Sequence, residues 1–223
     1  MNKLLRPTIL LTTLSLVSIA NAVVYDAATD FSIGSNPNGV WSYGWSSTLT
    51  GGFNLNTASS SVGVIDFSSS NIASDGNPQV FKNTSNATVI AGSVTLFANQ
   101  MAMHPGPNGE YAVVRFTVPA TTMYVYTAGF IGQDASTTDV HVLVNGALNA
   151  SGSINGYGST VNFGNLWSLA AGDTIELRVG YGNGNFLFDS TGANIRIEAV
   201  PEPATMSALA LGMAFLARRK SAK

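Results

Sequence analysis

Two histidines, His104 and His141, and eleven carboxylates between Val23 and Ala199 are the groups in this 223-residue chain that could do acid–base chemistry. His141 follows Asp139 by two positions in the alternating run DVHVLV, so on a strand both side chains share a face and the carboxylate could orient the imidazole. The plainer reading is a satisfied strand residue. No His-x-x-x-His or Glu-x-x-His spacing occurs, and the chain has no cysteine, so a zinc centre lacks its ligands. The same absence removes disulfides and cysteine nucleophiles. There is no Gly-x-Ser-x-Gly elbow. Gly180-Tyr181-Gly182-Asn183-Gly184-Asn185 fails the dinucleotide pattern at its sixth position. Asp75, Asp134, Asp139 and Asp189 could offer hard oxygen ligands to a structural calcium ion, but no repeat spacing assembles them, and neither a metal site nor a catalytic residue is assigned. Glycoside hydrolysis needs only two placed carboxylates, so a secreted carbohydrate-active enzyme stands as the alternative to a non-catalytic protein.

The second kind of chemistry is aromatic. Trp41, Tyr43 and Trp45 alternate with Ser42 and Gly44, which puts the three rings on one face of a strand. They form either a platform on which sugar rings stack or a stripe that fills the space between two sheets.

The elements that must carry these groups are short strands separated by turn residues. Tyr111 to Val118 alternates, with Ala112, Val114, Phe116 and Val118 on one face, and Pro119 ends it. Met123 to Ile131 and Val140 to Val144 follow, and Asn145-Gly146 between apolar runs is a strong hairpin signal. Thr174 to Val179 turns Ile175, Leu177 and Val179 inward and Glu176 and Arg178 outward, and Asn194 to Ala199 alternates in the same way. Further strands are expected from Val62 to Phe67, Thr88 to Ala98, Val161 to Leu166 and Phe186 to Phe188. The pattern predicts an all-β fold, an antiparallel β-sandwich of jelly-roll-like form. A signal helix should precede it and a hydrophobic helix follow it.

Lys82, Arg115, Arg178 and Arg196 are the cations from Val23 to Ala199, four against eleven acidic residues, a net charge of about −7. Nucleic acid is excluded as a partner, because a phosphate backbone requires a basic face.

Both ends carry targeting features. Residues 1–22 have Lys3 and Arg6, an apolar stretch and a small-x-small ending at Ala20 and Ala22, which is a secretory signal peptide with cleavage expected after Ala22. Residues 23–199 are the expected domain. The tail, 200–223, starts with Pro201, Glu202 and Pro203, continues as an uncharged run from about Ala204 to Ala217, and ends on the basic cluster Arg218, Arg219 and Lys220. At ~1.5 Å per residue the run is about 20 Å as a helix, short of the ~30 Å hydrocarbon core, so holding it in a membrane recruits its flanks and sets the cations at the cytoplasmic headgroups.

This tail resembles the PEP-CTERM sorting signal of Gram-negative bacteria, with Pro201, Glu202 and Pro203 as the motif and Arg218, Arg219 and Lys220 as the cluster. The resemblance implies a membrane processing enzyme, exosortase, as partner, and an exported protein that is associated with the inner membrane before processing. Its destination would then be the cell surface or an extracellular polysaccharide matrix. The stretch His104 to Ala199, with phrases such as HPGPNGEY and AAGDTIELRVGYGNG, is similar to the lectin-like and carbohydrate-binding-module-like β-sandwiches that such proteins carry, which implies polysaccharide as a further partner.

Overall fold

The computed structural model describes residues 22–70 and 76–200, so the expected signal helix, Ala20, the tail and its basic cluster, and Asp75 lie outside the described residues. Sixteen strands occur among the described residues and no helix. In chain order they are β1 (Val23–Asp26), β2 (Trp41–Ser46), β3 (Asn54–Leu55), β4 (Ala58–Val62), β5 (Ile65–Ser69), β6 (Gln79–Asn83), β7 (Val89–Ala91) and β8 (Val94–Leu96). The rest are β9 (Met101–His104), β10 (Tyr111–Thr117), β11 (Thr122–Gly132), β12 (Asp139–Val144), β13 (Ala147–Ser153), β14 (Thr160–Leu169), β15 (Thr174–Gly180) and β16 (Thr191–Val200).

They form two antiparallel sheets. The first runs β14-β11-β16-β9-β6-β5-β4, with β1 pairing the far end of β16; the second runs β13-β12-β15-β10-β2-β3. A separate hairpin, β7–β8, stands apart from both. The inner residues of the two sheets meet in one core, in which Trp41, Tyr43 and Phe116 from the second sheet face Tyr124, Tyr126, Phe130 and Ile197 from the first. Burying each such side chain contributes about 1.5–3 kcal/mol. Among the described residues every ladder and both apolar clusters close within residues 22–200, so this unit holds a core of its own.

The alternation of Tyr111 to Thr117 is realised as expected, because β10 is central in its sheet and one face must be apolar throughout. The Asn145-Gly146 turn joins β12 to β13 with φ of 51° and 76°, the pair of positive values that a type I′ turn requires. Three expected strands are corrected. Val62 to Phe67 splits into a hairpin, because Gly63 takes a φ of 61° and turns β4 into β5. Thr88 to Ala98 folds back at Gly92, φ 63°, into β7 and β8. Phe186 to Phe188 is a loop.

A polar layer covers the outside of the second sheet. Glu176 and Arg178 point away from the core as expected, yet they are only 2% and 1% exposed. Arg178 donates to the carbonyls of Thr48, Leu49 and Gly51 at 3.0, 2.8 and 2.9 Å, drawing the β2–β3 loop over the sheet. Glu176 lies between Arg178, at 2.5 Å, and Arg115, whose guanidinium also stacks on Phe53 at 3.9 Å from the ring centroid.

Candidate binding cleft

A cleft of about 540 Å³ opens on the outer face of the first sheet, where β5, β6 and β9 are roofed by the β7–β8 hairpin and flanked by the loop before β16. That volume falls in the ~300–1,000 Å³ range of small-ligand sites. Its floor is apolar: Phe67 stacks on Phe81 with centroids 5.4 Å apart, and Ile65 and Leu96 pack beside them. Its polar groups converge from four elements: Gln79 from β6, Ser93 from the hairpin, His104 from the end of β9, and Asp134 from the loop after β11.

The polar groups are held in place. Asp134 accepts from the Ser93 hydroxyl at 2.7 Å and from the Ala135 N–H at 2.7 Å. His104 Nδ1 lies 2.8 Å from the Pro105 carbonyl. A carbonyl only accepts, so Nδ1 carries the proton and Nε2 of the neutral ring keeps a lone pair. Burial pulls the His104 pKa below its ordinary value, against the opposing pull of the Pro105 carbonyl and Asp134, so the ring is neutral at pH 7.

One wall is the loop that the sequence suggested as a strand. Asn183 and Asn185 cap their own backbone through bonds of 2.9 and 3.0 Å to the N–H groups of Asn185 and Leu187, a chain of Asx turns that keeps Phe186 to Phe188 out of either sheet. Phe186 meets His104 edge-on at 6.2 Å. Phe188 is 57% exposed and has a φ of 66°, a left-handed conformation that costs a bulky residue about 1–2 kcal/mol. Next to it Asp189 is fully buried: one carboxylate oxygen accepts from the Thr137 N–H at 2.7 Å, and the other has no partner. Burial pushes the Asp189 carboxyl above the usual range. The anchor at Asp189 thus holds Phe188 in its strained, outward position.

A smaller hollow of about 330 Å³ lies between Ser32–Asn36 and the β3–β4 turn; hydroxyls, amides and small aliphatic groups line it, without an aromatic ring or a charge. Asn56 Oδ1 is buried without a partner on its wall.

Of the aromatic trio, Trp41 and Tyr43 are wholly buried and Trp45 is half-buried. The Trp41 indole packs edge-on against Phe116 and donates to Asp30 Oδ2 at 3.0 Å. For Trp41 and Tyr43 the platform reading is therefore corrected to the core stripe, since a ring between two sheets has no face to offer a sugar; Trp45 does not join the core. The ring-lined surface is the Phe67/Phe81 floor with Phe186 and Phe188. The signal that could have found it is a bulky apolar triplet directly after a Gly-Asn run, in which a strand cannot start.

The Asp139–His141 pair is present. His141 Nε2 is 2.7 Å from Asp139 Oδ2, and Nδ1 is 2.9 Å from Ser151 Oγ. Tyr111 donates to the same Asp139 oxygen at 2.9 Å, and the Gly182 N–H donates to the other at 3.0 Å. Burial raises the Asp139 carboxyl, but the bonds from His141, Tyr111 and Gly182 outweigh it and hold it below the usual range. The hydroxyl, imidazole and carboxylate are in relay order, yet the group lies on the outer face of the second sheet, outside both hollows, where it ties β10, β12 and β13 together. Asp134 and Asp139 lie near enough to Asp189 for their charges to raise its carboxyl, but among the described residues no three His, Asp or Glu side chains form a metal cluster.

Comparison with known proteins gives likenesses for the sandwich and a match for the tail. The sandwich is similar to a CBM51 module from Clostridium perfringens GH95 solved in complex with methyl-galactose, at 14% identity over 56% of this chain and 90% of that one, TM-score 0.38. It is also similar to a family 35 carbohydrate binding module from Clostridium thermocellum, at 11% identity over 80% and 98%, TM-score 0.33. Rabbit GITRL gives 17% identity over 40% and 73%, TM-score 0.30. No curated relative matches the chain. Val200 ends β16 among the described residues, and the next residue in sequence, Pro201, lacks the N–H that a ladder needs. Residues 199–221 match the PEP-CTERM protein-sorting motif, so the chain carries a sorting tail directly behind its last strand, with the β-sandwich as its passenger.

Proposed function

We propose that the chain is an exosortase-processed, non-catalytic component of the cell surface or extracellular matrix that binds polysaccharide in the cleft beside Phe188. The sorting motif at residues 199–221 supports the export half of this reading, with an inner-membrane stage before processing. The binding half rests on one observation, an exposed aromatic ring held in a strained conformation at the mouth of an aromatic-floored cleft. A sugar ring offers an apolar C–H face to such rings and hydroxyls to groups such as Gln79, Ser93, His104 and Asp134. Among the described lining residues Asp134 is the single carboxylate, whereas glycoside hydrolysis needs two about 5–10 Å apart. This favours binding over cleavage.

The test is a glycan array probed with residues 22–200, followed by titration of the best ligand. Phe188→Asn and Gln79→Ala should each weaken binding about tenfold, with no reducing ends released from the ligand. A domain that binds no glycan at millimolar concentration, or whose binding ignores both substitutions, overturns the cleft reading.

A further inference from the structure

From Val140 to Gly172 the chain has no Asp, Glu, Lys or Arg. The fold places this stretch on one flank of the sandwich, where β13 is the edge of the second sheet and β14 the edge of the first. Edge strands in proteins are ordinarily guarded by charge, proline or brevity. β14 has ten residues, no charge and no proline. Its sequence TVNFGNLWSL is rich in residues that favour strands.

The outward side of β14 can be read from two bonds. The Ser159 carbonyl accepts from Gly132 of β11, so odd-numbered residues here bond to β11. The Leu166 N–H instead takes the side chain of its neighbour Asn165, at 2.8 Å, as its acceptor. The backbone groups of Thr160, Asn162, Gly164, Leu166 and Ser168 thus face away from the sheet. Leu166 is 49% exposed, and Val161, Phe163 and Trp167 only partly close the core at this flank. The Trp167 Nε1 is buried without a partner.

We propose that this edge pairs with β14 of a second copy of the chain, antiparallel about a two-fold axis at Gly164. An unpaired ladder calls for an extended strand as its occupant, and an uncharged one has nothing to attract a charged peptide. Residues 23–199 of a second copy carry the same net charge of about −7, so the two sandwiches repel unless they meet across a flank without charge. Symmetry supplies the register. Outward residues must oppose outward residues, and of the registers that satisfy this the one that pairs the whole run from Thr160 to Ser168 sets Gly164 against its own counterpart, Asn162 against Leu166, and Thr160 against Ser168. On the core side Val161 then meets Trp167 and Phe163 meets Asn165. Nine residues pair, and at the axis the absence of a side chain permits close approach. The two first sheets become one continuous sheet, and the open edge is removed from both copies.

Because the chain has no cysteine, Gly164→Cys places a single thiol at the axis. A Cβ there would meet the Tyr126 carbonyl oxygen at 3.3 Å, a contact that a small shift relieves. Residues 22–200 carrying Gly164→Cys should form a disulfide dimer under mild oxidation, and Val62→Cys on the opposite edge strand should not. The parent should sediment as a concentration-dependent dimer. Asn162→Lys with Leu166→Lys, which sets four lysines across each two-fold, should shift it to monomer by tenfold or more in the dissociation constant, with unchanged circular dichroism and melting. A parent that stays monomeric at 100 µM, or a Val62→Cys dimer formed in preference to the Gly164→Cys one, overturns the proposal. If the double lysine variant fails to fold, the cysteine pair decides alone.

Discussion

At the scale of single residues, Asp189 and Phe188 are neighbours with opposite costs, and each predicts a measurable effect. The folded-state pKa of Asp189 lies above the unfolded value of ~3.9, so its contribution is fully present below that pH and is lost as pH rises through the folded value. One oxygen of this buried side chain has no partner, and burial disfavours its charged form. Asp189→Asn keeps an acceptor for the Thr137 N–H and removes the charge. It should stabilise residues 22–200 at pH 7 by about 1 kcal/mol, roughly 2–4 °C in Tm, with the gain vanishing below about pH 4. Equal melting of variant and parent across that range would refute this account of the site. Phe188 behaves differently, because its strain is local. Asparagine tolerates the left-handed region, so Phe188→Asn should raise stability by about 1 kcal/mol while glycan binding falls, a separation that calorimetry and titration on one sample would detect. His104 adds a third dependence. Its lowered pKa means stability is complete above about pH 6.5 and declines as pH falls through the folded value, because the unfolded ring takes up a proton more readily.

At the scale of elements, the legible strands were those with one continuous apolar face and with neighbours in the sheet. YAVVRFT shows its core face directly because β10 has a strand on each side and the inter-sheet core beneath it. The outward face of β15 was legible as polar but not as buried, since its cover comes from a loop about 130 positions earlier in the chain. Alternation reports which side a residue takes, not what is packed on that side. The same limit applies to the aromatic trio, whose spacing fits a platform and a core stripe equally until the second sheet is in place. Phe186 to Phe188 failed for another reason: apolar content suggested a strand, while the asparagine turns and the Asp189 anchor dictate a loop. The buried triad makes this difference testable. Glu176→Ala leaves the Arg178 charge without its carboxylate in a buried site and should cost about 3–5 kcal/mol. Arg115→Ala should cost much less, since Arg115 is 27% exposed and Arg178 remains to pair Glu176. Denaturant melts giving the reverse order would show that the covering loop, and not the ion pairs, holds this face.

At the scale of the whole molecule, the first and last strands of the sandwich lie side by side. β1 pairs antiparallel with β16, Val23 opposite Ala199, so the expected cleavage site after Ala22 and the start of the tail at Pro201 leave the same end of the first sheet. The matched motif begins at residue 199, within β16, so no spacer separates the folded passenger from the sequence that a processing enzyme would read. Retention and processing should therefore depend on different residues. On the proposed reading the run from Ala204 to Ala217, short for a bilayer, would be held in the membrane with an orientation that rests on Arg218, Arg219 and Lys220 more than on its hydrophobicity. Replacing all three cations with Ser should let the tail pass through the membrane and release the protein. Pro201→Ala with Pro203→Ala should leave the cations and membrane retention intact and abolish cleavage. Fractionation and tail-mass analysis in a host that has the processing enzyme separate the two defects. If both variants fractionate and mature as the parent does, the tail is not read in this way.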